Sequence, residues 1–254
     1  MGQIKEQKTK KKRYRLYGAL VLLLGLAIIV LSFLILFHTQ AIEVEGNEYS
    51  SKEEIVQLIK KDKYSFNTVY VWAKYMAGRG EKIPCLEKME VRIRRPWILQ
   101  VKVKEKPIYG YREGKEGYDY FDGDGYLIHQ DAKQIEQVPV FEGVAWKEMK
   151  LYEKVKTDKD QLFEKMLQVS GEMKKLELYP QKIKGEDNRI SLLLGTVWVQ
   201  LGSSATAEQI AQIPPILEKL GDQSGTLHLE NYEKNSKIIT FRIGELPEEV
   251  KNTE

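Results

Sequence analysis

The stretch "LYGALVLLLGLAIIVLSFLILF", Leu16 to Phe37, runs 22 residues without a charge. At 1.5 Å per residue a helix of that length reaches about 33 Å, enough to cross a hydrocarbon core of about 30 Å. No other feature constrains the fold as strongly, because whatever follows must fold on one side of a bilayer. A cleaved signal peptide also has a basic start and an apolar stretch, but its apolar region spans about 7 to 15 residues and ends in a small-x-small site. Here the run is longer and closes in "FHTQA". The expected organisation is a cytoplasmic arm at 1–15, an uncleaved transmembrane helix at 16–37 and an extracytoplasmic remainder, since Lys and Arg of short flanks stay inside.

The first fifteen residues hold seven Lys/Arg against one Glu, and removing that excess from the overall +3 leaves about −3 for the rest. In isolation "KEQKTKKKRYR" would suit a nucleic-acid patch. Its place beside the apolar run makes it a membrane-surface element, with Lys10, Lys11, Lys12, Arg13 and Arg15 facing anionic headgroups and no nucleic-acid partner. At 254 residues and 42% hydrophobic content the chain supports one large or two small packed domains. A single cysteine, Cys85, allows no internal disulfide, so the exported part must hold together by packing.

After the anchor, "AIEVEGNEY" alternates like a strand that ends in a turn. In "SSKEEIVQLIKK", Ser50 and Glu53 are spaced as a capping box ahead of a stripe of Ile55, Leu58 and Ile59. In "SFNTVYVWAKYMAGRG", Phe66, Val69, Tyr70, Ala73, Met76 and Ala77 recur at helical spacing, with Gly78 as a stop. Two period-two runs follow, "KMEVRIRRP" and "WILQVKVKEKP", so the order over 42–106 is β-α-α-β-β. From Pro107 the chain turns to short glycine-bounded β runs, "YGYREG", "GYDYFDGDGYLI" and "VPVFEGV". A helix at 158–177 carries Leu162, Met166, Val169, Met173 and Leu176. Next come strands at "RISLLLG" and "TVWVQLG", a helical stretch at 207–220 interrupted by Pro214-Pro215, and strands at "TLHLENY" and "KIITFRI". Residues 244–254 are polar and acidic, the composition of a disordered tail.

The quoted pieces "IEVEGNEYSSKEEI", "VRIRRPWILQVKVKEKPIYGY", "YDYFDGDGYLI" with "VPVFEG", and "VWVQLG" with the last strand pair resemble the FtsQ/DivIB family of bitopic bacterial cell-division proteins. Their order and spacing extend over nearly the whole chain. The resemblance implies an α+β fold: a single transmembrane helix, a POTRA-type domain at 42–106 and a larger mixed β domain with flanking helices at 107–243. Two departures are "KEKP" where the family more often has Glu-Arg-Pro, and Pro214-Pro215 inside a usually more continuous helix, where proline clashes with the preceding turn or restarts a shorter helix.

Chemistry is sparse. "FDGDGYLI" looks like a calcium loop, but counting from Asp122 the required donor, glycine and glutamate places hold Tyr126, Leu127 and Lys133. What remains is a hairpin turn, Asp-Gly between two β-prone runs, and the resemblance implies the same. His38, His129 and His228 lie in no catalytic motif and read as surface residues. Neither zinc spacing nor a phosphate loop occurs. Carboxylates such as Asp122/Asp124 or Glu53/Glu54 are the best enzyme candidates, as for a glycosidase on cell wall, although acidic turns are ordinarily solvated surface. The chain is therefore expected to be no enzyme, with no catalytic, cofactor or metal residues and no small-molecule substrate. A POTRA domain serving an outer-membrane pore would need a C-terminal barrel, for which the remaining chain is not patterned.

The last strand, Lys237 to Ile243, has Ile239, Phe241 and Ile243 on one face and Ile238, Thr240 and Arg242 on the other, apolar on both. It is either an edge open to a partner strand or one closed by the acidic tail, and pattern alone leaves both open. The resemblance implies that this terminal pair, with Tyr232 before its turn, captures the C-terminal segment of an FtsB/DivIC partner with FtsL alongside. It further implies contacts of the POTRA-type part with other divisome proteins. Arg94 and Arg95 of "RRPW", next to Trp97, either meet an acidic partner or keep a strand end soluble. The expected function is a non-enzymatic divisome scaffold at the septal cell membrane that helps control peptidoglycan synthesis; the alternative is a membrane-tethered exported wall enzyme or ligand sensor.

Overall fold

The structure, a computed structural model, describes residues 2–115, 117–147, 149–232 and 238–245, with side chains from residue 16 onward. It divides into two compact units, Met1–Glu105 and Lys106–Glu254. The class is α+β.

The first unit opens with helix α1 (Gly2–Leu36), of which Leu16–Leu36, mean hydropathy 3.2, is long and apolar enough to cross a membrane. The backbone of the basic arm continues this helix, while the side chains of Lys10, Lys11, Lys12, Arg13 and Arg15 fall outside the described ones. Then follow β1 (Ala41–Glu45), α2 (Lys52–Lys60), α3 (Thr68–Met76), β2 (Leu86–Arg95) and β3 (Ile98–Glu105). The sheet order is β1-β3-β2, with β1 parallel and β2 antiparallel to the central strand. Leu99, Val101 and Val103 of β3 alternate into the core with Ile55 and Ile59 of α2 and Val71 of α3. Full burial of each such side chain contributes about 1.5–3 kcal/mol. Cys85 lies in the same core, its Sγ 3.4 Å from Ser50 Oγ.

Local phase departs from the sequence expectation at the start of α2. The cap of α2 is Ser51, which accepts from Glu54 N, whereas Ser50 turns inward to Cys85. Of the helically spaced apolar set in and around α3, Phe66, Tyr70, Ala73, Met76 and Ala77 are exposed and Val69 is half-buried, while Thr68 and Val71 point into the core. The cap sets this phase. Asn67 accepts from Tyr70 N, and Thr68 Oγ1 is held inward by the carbonyls of Phe37 and Pro96.

The second unit comprises β4 (Ile108–Glu113), β5 (Tyr118–Asp122), β6 (Leu127–Asp131), β7 (Val140–Glu142), α4 (Asp160–Lys175), β8 (Lys182–Glu186), β9 (Arg189–Leu194), β10 (Val197–Gly202), α5 (Ala207–Ile210), α6 (Ile213–Leu220), β11 (Gly225–His228) and β12 (Thr240–Ile243). Nine strands form one sheet in the order β12-β11-β10-β9-β8-β7-β4-β5-β6. Leu162, Met166, Val169 and Met173 of α4 join Ile183, Leu192, Val199 and Leu227 in one buried cluster. Phe121, Trp146 and Phe163 close one end, with ring centroids 5.1 to 5.6 Å apart. Leu176 lies past the helix end and is exposed, because the helical phase stops at Lys175.

Strand β8 carries too little hydrophobic alternation to be read from sequence, with charged residues at Lys182, Lys184 and Glu186 and only Ile183 and Gly185 turned inward. Pro214 and Pro215 occupy the first turn of α6, where a missing N–H costs nothing, so the break yields two short helices with Ile210 and Ile213 fully buried.

In "FDGDGYLI", Asp122 ends β5 and is buried. Its Oδ1 accepts from Asp124 N and Tyr126 N at 3.0 and 2.8 Å, and its Oδ2 meets Lys106 Nζ at 2.7 Å. Gly125, at φ +79°, closes the turn by donating to the Asp122 carbonyl. His129 and His228 are not surface residues as expected: each side chain is 19% exposed and stands beside a carboxylate, Asp131 or Glu230. Both sit on strands, where neighbouring side chains screen the ring.

Candidate partner-docking surface

β12 is an edge strand. It pairs antiparallel with β11 through Gly225↔Ile243, Thr226↔Arg242, Leu227↔Phe241 and His228↔Thr240, and among the described residues its outer side carries no strand. β11 in turn runs parallel to β10, which brings Trp198, Thr226 and Arg242 into one cross-strand row. The strand is shorter than the sequence expectation of 237–243. It begins at Thr240, Ile238 and Ile239 precede it, and Lys237 falls outside the described residues.

Close approach of β12 depends on Gly225, where a Cβ would stand 2.2 Å from the Arg242 carbonyl oxygen. Only glycine accepts that contact. On the inner face Ile239 and Phe241 pack against the buried cluster. Ile238 and Ile243, in contrast, are 60% and 73% exposed, and Thr240 and Arg242 are exposed as well. An open row of backbone donors and acceptors flanked by unburied isoleucines is the combination that captures an added strand.

The end of β12 is clamped. Gly244 N donates to the Ser224 carbonyl at 3.0 Å, and Thr226 Oγ1 donates to the Glu245 carbonyl at 2.7 Å. The Glu245 carboxylate lies 3.5 Å from His228 Nε2 and 3.3 Å from Arg242 Nη1. Burial works against its charge, but the bond to His228 and the Arg242 guanidinium prevail and hold the carboxyl below its ordinary range. Gly244 and Glu245, expected to begin a disordered tail, are thus bound to the sheet; residues 246–254 fall outside the described ones.

Behind the strand, Gln209 is fully buried. Its Oε1 accepts from Thr206 N at 2.7 Å in a capping box, and its Nε2 donates to the Leu229 carbonyl at 2.9 Å and the Tyr232 carbonyl at 3.4 Å. One amide thereby fixes the chain leaving β11 and presents Tyr232, half-buried, at the same end of the sheet. Sequence reading overlooked Gln209, although Thr206 and Gln209 carry the T-x-x-Q spacing of a capping box.

Residues 37–106 match the family model for the POTRA domain, FtsQ-type. Over 234 residues the chain is 25% identical to "Cell division protein DivIB" of Bacillus subtilis (strain 168), an alignment that covers 90% of this chain and 85% of that protein. The FtsQ-type POTRA match and the likeness to a DivIB protein over most of the chain support the FtsQ/DivIB family expected from the sequence.

The other expected surface lies on the first unit, the part that matches the FtsQ-type POTRA model. Arg94 is bound to Glu43 across the sheet, which occupies it within the fold. Arg95, at the end of β2, is exposed. Trp97 is not in β3 as expected but in the turn before it, half-buried, where its carbonyl accepts from Gln40 N at 2.9 Å and so fixes the turn. Among the described residues no group of three or more His, Cys, Asp or Glu is placed to hold a metal ion.

Proposed function

We propose that this chain is a membrane-anchored, non-enzymatic cell-division scaffold. The β12 edge, with Ile238, Ile243 and Tyr232, takes an added strand from an FtsB/DivIC-type partner with FtsL alongside, and the assembly helps control septal peptidoglycan synthesis. One observation carries this reading: β12 ends the sheet with its outer side open among the described residues and with apolar side chains left in solvent. Burying one such isoleucine against a partner contributes about 1.5–3 kcal/mol. The similarity to a cell-division protein over 90% of the chain supports the setting. The apolar helix at Leu16–Leu36 supports a single-pass location, with the basic arm as its cytoplasmic side. Asp122, the carboxylate that a wall enzyme would use, has its oxygens engaged by two backbone N–H groups and Lys106.

The test is titration of the full chain, in detergent or nanodiscs, with a purified FtsB/DivIC–FtsL pair. Ile243→Asp leaves the core untouched and lowers affinity tenfold or more, about 1.4 kcal/mol per tenfold. Phe241→Asp also abolishes binding, by unseating the strand. Undiminished affinity of Ile243→Asp with native circular dichroism overturns the edge-strand model.

A further inference from the structure

Several apolar residues of "KYSF" and α3 stand in solvent. Tyr64, Phe66 and Tyr70 are 49%, 47% and 38% exposed, and their rings form one cluster, Tyr64 lying 5.3 Å from Tyr70 and 6.4 Å from Phe66. Lys60, Lys61 and Lys63 surround them, all exposed, with Lys63 Nζ 5.7 Å above the Tyr64 ring. The nearby acid, Asp62, is taken by Lys74 at 2.5 Å. The local field is therefore positive around an apolar aromatic centre.

What covers this cluster follows from its height above the span. Leu16–Leu36 measures about 31 Å as a helix, the thickness of the hydrocarbon core, so Phe37 and His38 enter the headgroup layer, about 5–8 Å deep on each side. No free linker separates them from the domain. The Phe37 carbonyl accepts from Thr68 N at 2.9 Å, Thr39 N donates to the Phe66 carbonyl at 2.7 Å, and His38 bridges Asn67. The Phe66 ring stacks 6.5 Å from the His38 ring. A group so close to the exit point of the span lies within the headgroup layer. The turn holding Pro96 and Trp97 is at the same end, through Thr68 Oγ1 to the Pro96 carbonyl and Gln40 N to the Trp97 carbonyl, with exposed Arg95 beside it.

We propose that Tyr64, Phe66 and Tyr70, with Lys61, Lys63 and Arg95 around them, are a lipid-facing foot that rests the first unit on an anionic membrane surface. Aromatic side chains favour that layer because their apolar bodies and polar edges match it, and lysine and arginine heads reach lipid phosphates while their stems cover apolar surface. The foot rests on α1 being a membrane span. It fixes the height and tilt of the unit, so that the domain does not swing freely on its anchor. It also gives Arg95 of "RRPW" a lipid contact, where the sequence left an acidic partner and a solubilising role both open.

The test uses the full chain in nanodiscs of phosphatidylcholine with phosphatidylglycerol. Single nitroxide labels are placed at Tyr64→Cys, Phe66→Cys, Leu26→Cys and Glu87→Cys in a Cys85→Ala background. Glu87 lies in β2 at the far end from Pro96, about 30 Å away along the strand. Expected are bilayer-centre accessibility at 26, headgroup-layer accessibility at 64 and 66, and water at 87. Water-like values at 64 and 66 with lipid at 26 overturn the foot alone; water at 26 overturns the span and the foot together. Dipolar broadening between labels at 66 on two chains, or shielding there only after a protein partner is added, assigns the cluster to that occupant and overturns lipid contact. Neutralising Lys61, Lys63 and Arg95 to Gln removes the response of site 66 to the phosphatidylglycerol fraction; an unchanged response overturns the charged part.

Discussion

Gln209 Nε2 lies 2.9 Å from the Leu229 carbonyl oxygen, and neither group reaches solvent. This bond joins the start of α5 to the chain leaving β11, twenty residues away in sequence, and sets the backbone from which Tyr232 projects. Gln209→Leu keeps the volume but takes the acceptor from Thr206 N and leaves the Leu229 carbonyl with Tyr232 N as its remaining donor. A loss of about 1–3 kcal/mol in urea unfolding is expected, together with weaker partner binding from a loosened Tyr232. Unchanged stability and affinity would deny the amide its role.

Gly225→Ala places a methyl 2.2 Å from the Arg242 carbonyl oxygen. Since among the described residues β12 pairs with β11 alone, it yields before the sheet does. Hydrogen exchange should show lost protection at Phe241–Ile243 with β9 and β10 unchanged. Partner affinity falls with it. Retained protection would mean that the strand shifts without detaching.

Asp122→Ala removes an acceptor for two backbone N–H groups and the partner of Lys106. Breaking a buried pair of this kind costs about 3–5 kcal/mol, here at the low end because Lys106 is partly solvated. Asp124→Ala, an exposed position, is expected to be near neutral by the same denaturation measurement. A catalytic pair would show the opposite pattern: both variants inactive on wall material, both stable.

The Glu245 carboxyl is held below its ordinary value by His228 and Arg242, against the opposing effect of burial. A group depressed in the folded state contributes its full stability above the unfolded pKa and loses it as pH falls through the folded one. The carboxylate's share of the clamp on β12 is therefore present at neutral pH and lost in acid, below the ordinary glutamate range, while the bonds to the Ser224 and Glu245 carbonyls do not titrate. The protection factor of the Gly244 amide, corrected for intrinsic exchange, should fall over that window. In Glu245→Gln it should be lower at neutral pH and insensitive to acid.

Several elements were legible from local pattern because one face of each is apolar at a fixed period. The uncharged run of α1, the alternation of β3 and the stripe Leu162, Met166, Val169, Met173 are of this kind. α3 was legible as a helix but its buried face was not: an apolar stripe marks a face but not what lies opposite it, and here Asn67 and Thr68 set the helix so that Val71 enters the core. β8 was missed because its outward positions are charged and one of its two inward positions is Gly185. Gln209 escaped notice because its role depends on carbonyls that come near only after β11 has paired with β10.

The sequence by itself determined that the chain has an apolar span, that a β-α-α-β-β unit follows it, and that Asp122 to Gly125 make a turn. These follow from interactions within a few residues: length against bilayer thickness, period against burial, glycine against positive φ. The tertiary structure decided that β12 is an edge, that Asp122 is saturated by Lys106 and the turn amides, and that Tyr64 and Phe66 stand beside the exit of the span. Each of these depends on pairing between distant segments, β10 with β11 or Phe37 with Thr68, and hydrogen bonds between distant segments leave no period in the sequence.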